Sequence, residues 1–440
     1  MALTGKRIFV GFGFGAIQAG LFLFEAYRSG KFRRLVVAEV LPEVVRAVRQ
    51  AGGYYSVNVA HGDRVEAARI GPVEIENPAV EADRRRLIEA VAEAEEMATA
   101  VPSVEHYVSD TPGSVHRILG LGLRKKAALG GARAILYAAE NHNHAAEILE
   151  RGVAATIPEA ELPLASSRLR TLNTVIGKMS GVVAIPRERE RRGLAPIAPG
   201  LDRAFLVEAF NRILISRVCF DPDPKTPPFS RGIEVFQEKE DLLPFEEAKL
   251  YGHNATHALA AYLGAIRGFQ RIAELGSDPG IMSFLRAAFI EESGEALIRK
   301  HGGIDPLFTR AGYAEYADDL LGRMVNPFLG DAVERVGRDP ERKLAWDDRL
   351  VGTMRIALRM RVLPRRYAVG AAAALATWDR SALTEDKPVA CWLEPLWDKA
   401  KPEAAEKGAI LSLIEDGRQR LRRWISGSDL DKPPVLNALT

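Results

Sequence analysis

The sequence predicts an α/β domain followed by a mainly α-helical one. Short β-branched and aromatic runs alternate with amphipathic helical stretches through the first part of the chain. From Phe245 onward the pattern is helical nearly to the end. Gly232-Ile-Glu-Val-Phe reads as a last short strand, so the boundary falls at 240, with 1–240 as the α/β domain and 241–440 as the helical one.

A chain of 440 residues has room for two or three domains. Hydrophobic residues at 47% and charged residues at 27% are those of a soluble globular protein. A net charge of +2 provides no bulk basic field, so nucleic acid is not an expected partner. Cys219 and Cys391 are too few for a disulfide framework, which points to a reducing cytoplasm. The apolar stretch near the N-terminus contains glycines and Gln18 and reaches Glu25 before any small-residue cleavage signal, unlike a signal peptide. No run of 18 apolar residues suggests a membrane span.

The first strand begins at Arg7-Ile-Phe-Val, and Gly11-Phe12-Gly13-Phe14-Gly15-Ala16 leads from it into a helix through Tyr27. Gly11, Gly13 and Ala16 fit the G-x-G-x-x-A form of the dinucleotide fingerprint. The first glycine permits a tight turn, the second lets backbone approach a pyrophosphate, and Ala16 keeps helix close to strand. Leu35-Val-Val-Ala-Glu39 is a second strand ending in an acid, 26 residues after Gly13. A carboxylate there accepts from both adenosine ribose hydroxyls and repels a 2′-phosphate, which favours NAD over NADP.

Val44 to Gln50 reads as a helix, and Tyr54-Tyr-Ser-Val-Asn-Val and Val73-Glu-Ile as strands. Arg84 to Ala94 is a charged amphipathic helix. Met97-Ala-Thr-Ala-Val101 is a strand whose end would border the nicotinamide side of the crevice. Val115 to Leu129 is a helix, and Ala134 to Asn141 a buried strand ending in polar groups. Asn141 can donate to a substrate oxygen or cap the next helix. Residues 174–187 read as strand with turns, Arg187 to Arg192 as an exposed charged loop, and Pro222 to Pro228, with four prolines in seven residues, as a loop.

In the helical half, Lys249-Leu-Tyr-Gly-His-Asn254-Ala-Thr-His257 runs into Ala258-Leu-Ala-Ala-Tyr-Leu-Gly. Read as one α-helix, its Lys249, Asn254 and His257 share a sector of about 140°. An acid/base, an amide donor and an imidazole so placed can surround one carbinol or carbonyl carbon, though such a trio also arises by chance. His142 and His144 with His253 and His257 invite a metal reading, but no cysteine lies near and no H-E-x-x-H motif occurs, so no metal is expected. Arg335-Val-Gly-Arg338-Asp-Pro-Glu-Arg342-Lys343 gathers four cations. Arg338, Arg342 and Lys343 can grip a phosphate or carboxylate, or form an ion-pair loop with Asp339, Glu341 and Asp347. Arg418 to Arg423 reads as a solvated basic helix face.

Taken together, Lys249-x4-Asn254-x2-His257-Ala-Leu-Ala-Ala-Tyr-Leu-Gly, Glu291-Glu-Ser-Gly, and Asn326-Pro-Phe-Leu through Arg338-Asp-Pro-Glu-Arg-Lys-Leu resemble the polyol-specific long-chain dehydrogenases, the family of mannitol-1-phosphate 5-dehydrogenase and mannitol 2-dehydrogenase. The resemblance spans nearly the whole chain and is loosest over residues 150–230. It implies a Rossmann-type N-terminal domain, a helical C-terminal domain and metal-independent hydride transfer with NAD. It makes Lys249 the general acid/base, Asn141 and Asn254 donors to the developing oxyanion, and His257 a substrate-orienting group. Glu246 resembles an acid that some relatives use as a proton path, or is a helix-surface acid. The chain departs from the usual Gly-x-Gly-x-Ile-Gly-Arg-Gly run: Gly15, Ala16 and Gln18 alter it, and Ile17 replaces the arginine.

The expected substrate is a small polyol or sugar phosphate, with mannitol 1-phosphate and fructose 6-phosphate first because the cations at 335–343 resemble those of phosphate-ester members. A free hexitol or a uronate is the alternative within the family. A non-catalytic NAD(H)-binding sensor or scaffold is the alternative outside it. A monomer or small homo-oligomer is expected.

Overall fold

The computed structural model describes residues 3, 5–221 and 228–431. The proline-rich loop read at 222–228 lies outside the described residues except for Pro228. The chain divides into two compact units, Met1–Leu243 and Pro244–Thr440.

The first unit holds twelve strands among the described residues: β1 (Arg7–Phe12), β2 (Phe32–Ala38), β3 (Tyr55–Ala60), β4 (Val65–Ile70), β5 (Glu74–Glu76), β6 (Glu96–Thr99), β7 (Ala134–Ala138), β8 (Leu169–Ile176), β9 (Ser180–Val183), β10 (Ala204–Glu208), β11 (Ile213–Ser216) and β12 (Gln237–Lys239). Eight form one sheet in the order β12-β11-β8-β7-β6-β1-β2-β5, and four form a second in the order β4-β3-β10-β9. From β8 to β5 the large sheet is parallel, with β11 antiparallel to β8. The order runs outward one way through β2 and β5 and the other way through β6, β7 and β8. β1 is therefore the switch point, where ligands bind at the carboxyl ends of the strands.

The period-2 alternation of β1 explains why the sheet is covered on both faces. Ile8, Val10 and Phe12 share a core with Leu87, Val91, Leu119 and Leu123. These come from the helices Glu81–Glu93 and Val115–Ala128. On the other face Phe9 packs with Phe22, Phe32 and Tyr137, and the same core reaches Val57 and Phe205 of the second sheet.

Two stretches of this unit differ from the sequence reading. Arg187–Arg192 is not a loop: Pro186–Arg191 is a short helix, started by a proline in its first turn and braced by Arg192 on Glu188 at 3.3 Å. Gly232–Phe236 is not a strand. The Gly232 and Ile233 amides turn onto the buried carboxylate of Glu96 instead of a neighbouring strand, and pairing resumes only at Gln237.

The second unit is helical, and alanine and glycine let its helices come close. Arg365–Trp378 is buried on all sides from Tyr367 to Ala376. A Cβ on Gly417, in the helix Ala404–Ile425, would lie 2.5 Å from the Ala368 carbonyl. One on Gly370 would lie 2.6 Å from Leu259 Cδ1. Within Arg418–Arg423, read as a solvated face, Arg418 is buried. Its guanidinium is held by Glu415 at 2.9 Å and by the Lys387 carbonyl at 2.7 Å, which compensates its desolvation. Among the described residues no helix is long and apolar enough to cross a membrane.

Candidate active site

In the first unit a cleft of about 800 Å³ opens at the carboxyl ends of β1, β2, β6 and β7. Phe12, Gly13, Phe14, Gly15 and Ala16 form one wall, with Glu39, Val101 and Asn141 among the other lining residues. Gly13, not Gly11, makes the turn: its φ is +83°, and a Cβ there would lie 2.7 Å from the Ala100 carbonyl oxygen. Gly11 lies inside β1, where an added Cβ would collide with the side chain of buried Gln18. A Cβ on Gly15 would meet nothing within 4 Å, so backbone is open to a ligand just where the helix begins.

Glu39 is buried, and both of its oxygens tie loops at the cleft edge. Oε2 accepts the Phe14 N–H at 3.1 Å and Oε1 the Leu41 N–H at 2.8 Å. Each oxygen keeps a lone pair for a hydroxyl donor. Glu140, which the sequence reading passed over, clamps the opposite wall. It accepts from Thr99 Oγ1 at 2.8 Å, from the Val101 N–H at 2.9 Å and from the Tyr107 hydroxyl. Burial raises its pKa above the ordinary carboxylate value. Its one visible signal is an acid at the end of a buried strand. Asn141 follows it and is exposed at the cleft lining. The turn at Gly13, the open backbone at Gly15 and the acceptor pair of Glu39 fit a dinucleotide.

In the second unit Lys249 lies in a π-helical segment, Ala248–Asn254, followed by the α-helix Ala255–Ile266. Backbone bonds in such a segment run i→i+5 with about 4.4 residues per turn, so five residues end about 50° past one full turn instead of about 140°. Lys249 and Asn254 therefore leave the helix on nearly the same side, closer than α-helical angles predict. Asn254, at φ −67° and ψ −33°, continues the helix and neither caps nor interrupts it. Gly252 allows the segment to pack: a Cβ there would lie 2.5 Å from Tyr313 Oη and 2.6 Å from Phe289 Cε2. Thr256 Oγ1 meets Tyr367 Oη at 2.8 Å and fixes the next turn.

The electrostatics of this cluster favour neutral bases. Burial first, and Arg349 second, lower the Lys249 pKa to about 8 against the pull of Glu246. Burial also lowers His257 to about 4, against the pull of Asp331. His257 Nε2 is buried without a hydrogen-bond partner, 4.0 Å from Asp331 Oδ2, and Asp331 is also held by Arg335. Neighbouring His253 is buried and well below its ordinary value, with burial the largest cause.

Of the three cations read as an anion grip, Arg338 and Arg342 are exposed, whereas Lys343 is buried with Nζ on the Arg338 carbonyl. Burial, Arg349 and Arg342 lower Lys343 to about 8. Arg349 escaped the sequence reading because it sits in an unremarkable charged run, Asp347-Asp348-Arg349. His142 and His144 are exposed in the first unit, whereas His253 is buried in the second. Among the described residues no group of three or more His, Cys, Asp or Glu side chains could hold a metal ion.

Residues 241–410 match the family model for the mannitol dehydrogenase C-terminal domain. The chain is 30% identical to mannitol-1-phosphate 5-dehydrogenase of Arthrobacter sp. (strain FB24) over 368 residues, covering 83% of this chain and 85% of that protein. Its fold is similar to that of a substrate-free D-sorbitol dehydrogenase, with a TM-score of 0.73 at 15% identity over 97% of this chain and 94% of that one. It is also similar to Pseudomonas fluorescens mannitol 2-dehydrogenase in ternary complex with NAD and D-mannitol, with a TM-score of 0.67 at 16% identity over 98% and 95% of the two chains.

Proposed function

The chain belongs to the mannitol dehydrogenase family, and on that footing we propose that it is an NAD-dependent oxidoreductase interconverting a polyol phosphate and a keto sugar phosphate, with mannitol 1-phosphate and fructose 6-phosphate as the pair. The observation that carries the chemistry is Lys249, held near pKa 8 in the same segment as Asn254, which lies one turn before His257.

A carbinol carbon gives up hydride readily only as its hydroxyl loses a proton. Neutral Lys249 takes that proton in oxidation and returns it in ketone reduction, an effect of about 10²–10⁴-fold for a well-placed acid/base. The Asn254 amide donates to the developing oxyanion, and Asn141 carries the same proposed role. His257, neutral at physiological pH because burial lowers its pKa to about 4, accepts or donates a hydrogen bond to a substrate hydroxyl without adding charge. Gly13, Phe14 and Gly15 would hold the pyrophosphate, and Glu39 would accept from the adenosine ribose hydroxyls. NAD, when bound, accepts the hydride or, reduced, supplies it. The chemistry needs no metal.

The test is NADH oxidation by the purified protein with fructose 6-phosphate, free fructose and a ketouronate in parallel. The expected result is a kcat/KM for fructose 6-phosphate at least about tenfold above the others, and weaker activity with NADPH. Preference for free fructose or the ketouronate would remove the phosphate from this reading. NADH binding without turnover of any of them would favour a sensor.

A further inference from the structure

Arg349 stands in the second unit, between the short helix Pro340–Lys343 and the helix Val351–Arg359. Its side chain is only 15% exposed. Asp348 Oδ1 accepts its Nε at 2.8 Å and its backbone N–H at 2.6 Å, which fixes the guanidinium plane. The outer Nη groups donate to no acceptor among the described residues. Neither Nη is sealed from solvent, so these four N–H donors are open to a ligand.

Arg349 bears electrostatically on Lys249, His253, His257, Tyr262 and Lys343. Lys343 is buried, lies 5.8 Å from the Tyr262 ring centroid and spends one N–H on the Arg338 carbonyl, leaving two more. Asp331 is engaged by Arg335, and Asp348 by Arg349 itself. The other acids that act on these cations are Asp339, exposed and 3.9 Å from Arg338, and Glu246, which pulls on Lys249. A planar donor edge beside a second buried cation, with Asp331 and Asp348 engaged, matches the oxygens of a phosphate group.

We propose that Arg349, assisted by Lys343, is the anchor for the phosphate ester of the sugar substrate. This deepens and rests on the reading of the chain as a sugar-phosphate oxidoreductase. The exposed Arg338 and Arg342 act at longer range, where solvent screens them. The phosphate grip is thus moved from the visible arginine-lysine run to a residue six positions beyond Lys343.

The experiment compares wild type, Arg349→Gln and Arg349→Lys for KM and kcat with fructose 6-phosphate, for inhibition by inorganic phosphate and for NADH affinity. In Arg349→Gln the KM and the inhibition constant of inorganic phosphate should rise together by roughly 30-fold or more, with kcat changed by less than about fivefold and NADH affinity unchanged. Arg349→Lys keeps the charge but not the fork, and should lie between the two. If wild type turns over fructose 6-phosphate and Arg349→Gln leaves both constants in place, the anchor is overturned while the function stands. The same holds if kcat alone falls. If wild type prefers a free sugar, the sugar-phosphate reading fails and takes the anchor with it. Should Arg349→Gln lose NADH binding, Arg349→Lys decides: a raised KM supports the anchor and an unchanged KM overturns it.

Discussion

At neutral pH an ordinary lysine holds its proton too tightly to act as a base, and burial is the simplest way to loosen that hold. Lys249 is brought to about 8 chiefly by burial, with Arg349 adding repulsion. The same shift costs stability. A folded-state pKa below the unfolded value of about 10.4 means that the proton binds the unfolded chain more tightly. The penalty is therefore complete below about pH 8 and fades as pH rises toward the unfolded value. Lys249→Met, which keeps length and removes charge, should make the protein about 1–3 kcal/mol more stable at pH 7 while abolishing turnover. Urea melts at pH 7 and pH 10 check this, and the gain should be smaller at pH 10. No gain at pH 7 would mean that Lys249 is not strained by its surroundings. The lysine, the asparagine and the histidine were visible in the sequence because they share one window. Glu140 was not, because its partners lie far along the chain, and Arg349 was not, because nothing in its charged run shows a guanidinium that is fixed and largely buried.

At the scale of elements, π-helical segments fall on three of the stretches that motif reading singled out: Gln18–Phe22 beside the glycine-rich turn, Ala248–Asn254, and Ala288–Gly294. One extra residue in a helical turn re-aims the side chains that follow, at the cost of poorer hydrogen bonding, and such turns cluster at functional sites. Apolar periodicity announces a helix but does not reveal such an insertion, so the sequence placed Lys249 and Asn254 too far apart. The Ala248–Asn254 segment depends on Gly252, since no side chain fits between it and Phe289 and Tyr313. Gly252→Ala should cost about 1–3 kcal/mol of stability and lower kcat at least about tenfold, with NADH affinity little changed. A variant with wild-type kcat would show that the close approach does not set the position of Lys249. Strands announced by alternation were legible, as in β1, where Ile8, Val10 and Phe12 face one core and Phe9 the other. The strand expected at Gly232–Phe236 failed because Glu96, distant in sequence, captures the amides that a strand would have paired.

For the whole molecule, the order of an α/β unit and a helical unit follows from the change of hydrophobic period near Phe245, and family membership agrees with it. The division into two sheets was not legible: β3 and β10 are parallel neighbours, yet well over a hundred positions separate them, and no local pattern announces such a pairing. A net charge of +2 hides a concentrated positive field in the second unit, where Arg349 bears on both Lys249 and Lys343. The whole reading depends on one claim, that the uncharged form of Lys249 is the base in polyol oxidation. The measurement that tests it most directly is the pH dependence of kcat/KM for NAD-linked oxidation of mannitol 1-phosphate, in wild type and Lys249→Ala. In wild type the rate should rise with pH and level off above about 8 as Lys249 loses its proton, and ketone reduction should fall over the same range. In Lys249→Ala it should be lower by about 10²–10⁴-fold, with that limb gone. A variant that keeps the limb at near wild-type rate would place the base elsewhere and contradict the account.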